Sequence, residues 1–443
     1  MELTQYLPLL MFVFLFIGIM SGYPVAFVLG GVSIVFGFVG YSLEIFRLND
    51  LNLIANRTFG VMTNVPLIAV PLFAFMGNIM EKSGLAGELL EAMGQLFQKA
   101  KGGLFFSVLV VGMVLAASTG IIGATVVSMG VIALPTMLKH NYNKEMSCGI
   151  IAASGTLGQI IPPSIVLILL GSIMQVDVGS LFTGAVIPGL LLVGLYALYI
   201  FIRTCFNSEL APAIENKDSS KFSILTFLKL SLPPGLLVVI VLGSIVGGMA
   251  TPTEAAACGA FGGIVITMIK RKFTIQVLME ALKSTSTLTS MVFLILICAQ
   301  FFGIVFRGLE GDELIINSIK EVDLTASSVV IIVMILMFFL GFFLDFIEIC
   351  FIVIPIVYPI FLHYEIDLLW LSILMAVNLQ TSFLTPPFGF ALFYLKGVAP
   401  EEIETKHIYK GVLPFIGLQV IAILLLYFIP ELTTWLPGIV YSE

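Results

Sequence analysis

Charged side chains are scarce in this sequence. Asp, Glu, Lys and Arg make up 11% of its 443 residues, against roughly 25% in a typical soluble domain, while hydrophobic residues make up 59%. A soluble chain of this size needs a charged exterior, so the composition excludes a cytosolic enzyme and a secreted disulfide scaffold. Lys and Arg number 20 against 27 acidic residues, which argues against nucleic acid as a partner. The composition predicts a polytopic helical membrane protein with lipid around it.

Residues for metal and redox chemistry are also few. The sequence has three histidines and five cysteines, and no two cysteines form a CxxC pair, so neither a disulfide framework nor a Cys/His metal site is expected. It lacks a Walker A motif for ATP hydrolysis, and no nucleophile–base pair stands out, so we do not expect an enzyme. The N-terminus has no basic region and no small-residue cleavage site, which favours a retained membrane segment over a signal peptide.

Several apolar stretches are too short to cross a bilayer, which takes about 20 helical residues. The stretch 104–138 is split by Ser118-Thr119-Gly120, and the stretch 146–174 is split by Pro162-Pro163. Non-helical backbone at membrane depth is tolerated only inside protein or beside a wet cavity. We therefore expect a re-entrant hairpin and a broken helix that together form a site.

The chain also repeats itself at an offset of 224 residues. Three anchors keep that register: Gly84 to Leu90 falls on Gly308 to Leu314, Pro135 falls on Pro359, and Pro162-Pro163 falls on Pro386-Pro387. One such match would be weak in a sequence rich in Gly and Leu. Three matches in one register predict a second hairpin at 325–362 and a second broken helix at 369–396.

The charges that flank the two hairpins differ in sign. Lysines bracket 104–138, whereas mainly acidic residues bracket 325–362. Cytoplasmic loops carry excess Lys and Arg, so the first hairpin enters from the cytoplasm and the second from outside. Two repeats of opposite orientation are the plan of many secondary transporters.

The predicted fold is therefore an all-α polytopic membrane protein with inverted repeats, two re-entrant hairpins and two broken transmembrane helices. Its expected divisions are N-terminal scaffold helices (1–63), a first repeat (64–202, with an arm helix at 84–101 and a helix at 181–202), a cytoplasmic loop with central connecting helices (203–286), a second repeat (287–430, with a helix at 287–306, an arm helix at 308–323 and a helix at 412–430) and a C-terminal tail (431–443).

The broken segments carry the chemistry we expect. A proline removes an amide donor and frees a carbonyl, and freed carbonyls beside hydroxyls form a neutral oxygen cage that suits Na⁺. The half-helix that follows each break points its positive end inward and favours an anion. The polar or small residues on these segments are the candidate substrate ligands: Ser118, Ser154, Gly155, Thr156, Asn378 and Thr381.

Three acidic residues need separate interpretation. Asp345 and Glu348 are the carboxylates deepest in an apolar run, where an ionisable group is a functional candidate by default. Asp345 lies at the predicted hairpin tip and is the favoured one, whereas Glu348 has a structural pairing as its alternative. Glu254 lies in Thr251-Pro252-Thr253-Glu254, where a helix capping box is an equal alternative to a functional role.

Four motifs in order give a family resemblance over nearly the whole chain. They are the stretch from ASTGIIGAT at 117–125 through LPTM at 134–137, SGTLGQIIPPS at 154–164, ATPTEAAA at 250–257 and TPPFG at 385–389. The sequence resembles the large membrane subunit (DctM-like) of TRAP, or tripartite ATP-independent periplasmic, transporters of the ion transporter superfamily. The resemblance implies an elevator-type, Na⁺-coupled importer of an organic anion in the bacterial inner membrane. It also implies two partners, a small four-helix membrane subunit and a periplasmic substrate-binding protein.

The resemblance also selects ion ligands, with Na⁺ as the coupling ion and no other cofactor. The residues carried over to a first Na⁺ site are Thr119, Ile122, Gly158, Ile161 and Pro163, largely through backbone carbonyls. The internal repeat extends this to a second Na⁺ site with Asp345, Ser382, Thr385 and Pro387. Many relatives have Ser-Gly-Ser where this chain has Thr119-Gly120-Ile121, so a side-chain hydroxyl is missing from the family's pattern.

Two other functions remain open at this point. The first is a stand-alone Na⁺/anion symporter of a related superfold, which would need no binding protein. The second is a channel or a membrane scaffold without transport activity. Transport by the chain alone would indicate the symporter, and unsaturable ion flux would indicate the channel.

Overall fold

The computed structural model describes residues 6–84, 88, 102–120, 122–212, 224–314, 324–387 and 389–441. Within these residues it has eighteen α-helices and no strand. In chain order the helices are α1 (Leu7–Met20), α2 (Val25–Ser42), α3 (Asn52–Met62), α4 (Val65–Lys82), α5 (Gly103–Thr119), α6 (Ile122–Lys139), α7 (Lys144–Thr156), α8 (Ile165–Met174), α9 (Val178–Phe206), α10 (Ile224–Val246), α11 (Pro252–Ile269), α12 (Ile275–Gly308), α13 (Ala326–Leu340), α14 (Phe346–His363), α15 (Leu368–Leu384), α16 (Phe390–Val398), α17 (Thr405–Phe428) and α18 (Glu431–Val440).

Eight of these described helices have the length and apolar composition needed to cross a membrane. They are α2, α4, α6, α9, α11, α12, α14 and α17. The prediction of an all-α polytopic membrane protein is therefore confirmed.

Both predicted hairpins are present. Helices α5 and α6 meet at Gly120, whose φ of 62° is left-handed and whose N–H donates to the Ala116 carbonyl at 2.9 Å. Helices α13 and α14 meet in a turn that begins at Gly341, whose N–H donates to the Met337 carbonyl at 2.9 Å. A residue without a Cβ adopts the left-handed conformation at low cost, which explains the glycine at the first tip.

Both predicted broken helices are also present. The first consists of α7, a 3₁₀ turn at Leu157–Gln159, and α8, with Pro162-Pro163 in the gap. The second consists of α15 and α16, with Pro386-Pro387 in the gap, and both Pro–Pro peptide bonds are cis. A proline lacks the N–H that a helix needs, so each helix stops before its pair. Ser164 then begins α8 by accepting the Leu167 N–H on its hydroxyl.

The broken helices form the centre of the molecule. Every residue of α7 from Met146 to Thr156 is buried, and so is every residue of α15 from Leu371 to Leu384. Helix α7 packs against α5, α6 and α17, while α4 packs against α11 and α12. The apolar residues of these central segments therefore face other helices rather than lipid.

Some helix boundaries differ from the expected ones. Helix α12 begins at Ile275 rather than at the expected residue 287. Its first turns were not predicted because they include Glu280 and Lys283, which lower the hydropathy below that of a membrane span. The segment 431–443 holds helix α18, which packs on α9. The expected arm helices at 84–101 and 308–323 lie largely outside the described residues.

The Thr251–Glu254 motif forms a capping box at the start of α11. The Thr251 N–H donates to the Glu254 carboxylate at 2.8 Å, and the Glu254 N–H donates to the Thr251 hydroxyl at 3.3 Å. These two bonds satisfy donors that a helix start otherwise leaves unpaired. The structural interpretation of this motif is therefore confirmed.

Candidate ion and substrate site

The tip of the first hairpin packs against the break in the first broken helix. A Cβ placed on Gly158 would lie 2.9 Å from the Ala116 carbonyl oxygen of α5. A Cβ on Gly120 would lie 3.4 Å from Cγ1 of Ile165, the first residue of α8. The two glycines thus let the hairpin backbone approach the broken helix closely.

Carbonyl groups are freed at this break. In a continuous helix the Gly158 carbonyl would accept from residue 162, which is a proline without an N–H. The Leu157 carbonyl, one residue earlier, still accepts from the N–H groups of Ile160 and Ile161, at 3.1 and 2.9 Å. The Gln159 carbonyl accepts from the Ser164 hydroxyl at 2.6 Å.

The residues carried over to the first Na⁺ site surround this point. Thr119 ends α5 and Ile122 begins α6, and Gly158 is in the 3₁₀ turn. Ile161 packs against α9, where a Cβ on Gly189 would lie 3.1 Å from its Cγ1, and Pro163 is buried. The side chains of Ser118 and Thr119 lie outside the described part of the structure.

The second hairpin meets the second break in a similar way. A Cβ on Gly341 would lie 2.6 Å from the Ser382 Cβ, so the hairpin turn touches the end of α15. The Ser382 hydroxyl donates to the Leu379 carbonyl at 2.8 Å, and the Thr385 hydroxyl donates to the Thr381 carbonyl at 2.8 Å. Both hydroxyl protons are therefore used within the helix, and their oxygen lone pairs stay available to a cation.

The Pro387 carbonyl has a partner in this structure. It accepts from the Tyr409 hydroxyl at 3.0 Å. A carbonyl oxygen has two lone pairs, so one is left for a further contact. Pro387 is exposed and Thr385 is half-buried, which makes this break more open than the first, where Pro163 is buried.

Asp345 is the N-cap of α14. Its carboxylate accepts the Phe346 N–H at 2.7 Å, and the Glu348 carboxylate accepts the Asp345 N–H at 3.0 Å. The Asp345 side chain also accepts the Glu348 N–H, which completes a capping box and gives Glu348 the structural role offered as its alternative. A carboxylate that accepts these N–H groups keeps lone pairs for a further contact, and the role of Asp345 in ion binding stays a prediction.

The candidate substrate ligands on the broken helices are buried in contacts with the hairpins. Ser154 faces Gly112 of α5, where an added Cβ would lie 2.6 Å from its hydroxyl oxygen, and Gly155 packs against Val126 of α6. The Asn378 amide donates to the Met334 carbonyl of α13 at 2.7 Å. These contacts attach each hairpin to its broken helix. Direct substrate binding by these residues stays a prediction.

Two of the buried polar contacts join the repeats to each other. The Gln380 amide donates to the Thr156 hydroxyl at 3.3 Å, and these residues are 224 positions apart. Another candidate, Thr381, donates its hydroxyl to the Val377 carbonyl at 2.9 Å beside this contact. Positions related by a two-fold axis touch each other only on that axis. The contact therefore places the two repeats back to back around Thr156 and Gln380.

A second contact of this kind joins α9 and α17, where Gln419 donates to the Tyr196 hydroxyl at 2.8 Å across 223 positions. Nearby amide atoms have no hydrogen-bond partner among the described residues. These atoms are the side-chain amide nitrogen and oxygen of Gln159 and the side-chain amide oxygens of Gln380 and Gln419. An unpaired buried polar group costs about 1–3 kcal/mol, so a hydrogen bond from a water molecule to any of these atoms would be stabilising.

Sequence reasoning missed Tyr394. Its ring packs on the first hairpin at Gly123, where an added Cβ would lie 3.0 Å from Cζ. Tyr394 thus joins the second broken helix to the first hairpin. A lone tyrosine on an apolar half-helix does not by itself indicate this contact, because Gly123 lies far away in the sequence.

Comparison with known proteins agrees with this architecture. Residues 11–432 match the family model of the tripartite ATP-independent periplasmic transporter, DctM component. The chain is 31% identical over 450 residues to the C4-dicarboxylate TRAP transporter large permease protein DctM of Vibrio cholerae, covering 96% of each chain. It is 29% identical over 429 residues to the isethionate TRAP transporter permease protein DctMQ of Oleidesulfovibrio alaskensis, covering 95% of this chain and 66% of that one.

A solved structure shares the fold. The crystal structure of the Alcanivorax borkumensis YdaH transporter superposes with a TM-score of 0.62 at 15% identity, over 97% of this chain and 100% of that one. The match to the family model covers nearly the whole chain, and the relatives at full length are transporter permeases. The chain belongs to the DctM family, the large membrane permease component of tripartite ATP-independent periplasmic transporters.

Proposed function

We propose that this permease imports a small organic anion, a carboxylate or a sulfonate, in symport with Na⁺ by an elevator mechanism in the bacterial inner membrane. A periplasmic substrate-binding protein would deliver the anion, and a small four-helix membrane subunit would complete the transporter. The observation that carries the proposal is the close packing of each hairpin tip against a proline break, around carbonyls without helical N–H partners.

Na⁺ is the cation that fits these breaks. Freed carbonyls and hydroxyl oxygens supply several ligands with little formal charge, as in the unwound helices of other Na⁺-coupled transporters. The proposed first site uses backbone carbonyls of Gly158, Ile161 and Pro163 in the broken helix. The hairpin tip contributes Thr119 and Ile122. The proposed second site uses Asp345, Ser382, Thr385 and Pro387.

An anion fits the half-helix that follows the second break. Gly389 is the N-cap of α16 and provides no side-chain capping bond, and the Leu392 N–H donates to the Gly389 carbonyl at 2.9 Å. The N–H groups of Phe390 and Ala391 in the first turn are therefore left uncapped by a side chain. These donors and the helix dipole favour a carboxylate or sulfonate group. Two relatives are named for C4-dicarboxylate and isethionate, which are anions of these two kinds.

The packing supports an elevator motion. The hairpins contact their broken helices through buried side chains, while α4 packs mainly with α11 and α12. We propose that the hairpins and broken helices move together against a scaffold that includes these three helices. The named DctMQ relative has about a third of its length outside the match, which supports a small subunit as a partner of this permease.

The test is uptake into proteoliposomes that contain this chain, its small subunit and its binding protein. Radiolabelled succinate, isethionate and sialic acid would be offered with a Na⁺ gradient, or with choline in its place and the pH gradient kept. We expect uptake only with Na⁺, and equal uptake in choline would refute the coupling. Uptake by this chain alone would instead indicate a stand-alone symporter.

A further inference from the structure

An apolar groove lies between α1 and the second hairpin, away from the ion sites. Its volume is about 370 Å³, and all of its lining side chains are aliphatic or phenyl. Its walls include Leu9, Phe12 and Leu15 from α1, and Val333, Leu336 and Val353 from the hairpin. Such a lining offers no partner to a polar ligand or to ordered water.

The groove opens sideways through its apolar rim. Leu9, Ile332 and Leu336 line it and are 45%, 50% and 44% exposed, whereas Leu15 and Val333 at its floor are 1% and 5% exposed. Helices α1 and α13, which carry this rim, are short apolar helices without a charged residue in a chain with eight candidate membrane spans. The hydrocarbon of the bilayer is the medium that suits such a mouth.

One wall of the groove packs against α12. The Phe12 ring packs edge-on against Phe302 and Phe306 of α12, with ring centroids 5.4 and 5.2 Å away. Engineered apolar cavities of about 150 Å³ stay dry and bind benzene, and this groove is more than twice that size. A preformed apolar space that opens to hydrocarbon takes up hydrocarbon.

We propose that this groove binds an acyl chain of a membrane phospholipid. The chain would fill the space between α1 and the second hairpin from the side. The inner end of the groove includes Leu340 and Leu344, and Leu344 directly precedes Asp345. A bound acyl chain therefore supports the hairpin turn from behind. This assignment does not depend on which ion or substrate the permease carries.

The test uses phosphatidylcholine with a photoreactive diazirine in its acyl chain, in liposomes that contain the full chain. Cross-linked residues are mapped by mass spectrometry. We expect labelling at the floor residues Leu15 and Val333 in the unmodified protein. Val333→Phe, which fills the groove, should lower labelling of Leu15 at least fivefold, and Val353→Phe should do the same.

The matched control is Val13→Phe, the same change on the 49% exposed outer face of α1, which does not line the groove. It should leave labelling of Leu15 unchanged. Labelling confined to outer-face residues, or labelling of Leu15 that both filling variants leave intact, would overturn the proposal. Loss of labelling when the small subunit is added would also overturn it, because the groove would then be a protein contact. The map of the unmodified protein decides the matter even if a variant fails to fold.

Discussion

Gly158→Ala should weaken Na⁺ binding at the first break. The added methyl would lie 2.9 Å from the Ala116 carbonyl oxygen and 3.3 Å from its carbonyl carbon and Cα. All three are backbone atoms, so no side chain can rotate away. The same Ala116 carbonyl accepts the Gly120 N–H at 2.9 Å, and relief of the clash therefore displaces the tip itself.

The size of the effect follows from the cost of overpacking, about 1–3 kcal/mol for a methyl group forced into a packed interior. If the added methyl group destabilises the ion-bound state by this amount and leaves the ion-free state unchanged, Na⁺ affinity falls about 5- to 150-fold. Bound Na⁺ stabilises the folded protein by about 2.7 kcal/mol at a concentration of 100 Kd. A loss of affinity in this range is therefore visible as a smaller Na⁺-dependent rise in Tm.

The assay is thermal unfolding of the purified chain in NaCl and in choline chloride at equal ionic strength. The control is Gly194→Ala in α9, where an added Cβ would meet nothing within 4 Å, and which should keep the full response to Na⁺. Comparison of the two salts within each variant separates ion binding from general stability. A Gly158→Ala protein with the same Na⁺ titration as the unmodified chain would show that the tip and the break do not form an ion site.

Three further outcomes are expected. Asp345→Asn should keep the helix cap, because Asn caps as well as Asp, yet lower the Na⁺-dependent rise in Tm; an unchanged rise would exclude Asp345 as an ion ligand. Thr156→Val and Gln380→Leu should show a coupling of about 0.5–1.5 kcal/mol in a double-mutant cycle of unfolding free energies, and additive effects would argue against the inter-repeat hydrogen bond. Thr251→Ala should cost about 1 kcal/mol of stability without changing the Na⁺ response, and a lost response would give this cap a role in transport.

The fold was predictable because its helix breaks and hairpin tips depend on the backbone conformations that proline and glycine allow. Pro162-Pro163 and Pro386-Pro387 break a helix wherever they occur, and Gly120 supports a left-handed tip. Hydropathy predicts the membrane spans, because about 20 consecutive apolar residues in a helix are enough to cross the hydrocarbon core of a bilayer. These rules are local, so one sequence was enough. The start of α12 and the helix α18 were missed because polar residues at helix ends lower the hydropathy without ending the helix.

The site was harder to predict because it depends on contacts between distant segments. Asp345 was expected to have a functional role at the hairpin tip, and its role as the N-cap of α14 was not predicted, although the spacing to Glu348 is that of a capping box. Tyr394 contacts Gly123 of α6, and no local pattern predicts a contact between helices so far apart in the sequence. Asn378 and Ser154 have suitable chemistry for a substrate, but in the structure they connect hairpin to broken helix.

The meeting point of the repeats explains why glycine and proline revealed the repeat while its polar residues did not. A position on the two-fold axis touches its own counterpart, so two identical side chains there would have to be self-complementary in shape and in hydrogen bonding. Thr156 and Gln380 avoid this requirement because they are different residues: the side-chain amide of Gln380 donates and the hydroxyl of Thr156 accepts. Backbone breaks need the same residue in both copies, because each must stop its own helix. Divergence is therefore expected to be greatest where the repeats touch, and the side-chain amide oxygen of Gln380, which has no hydrogen-bond partner among the described residues, lies buried there.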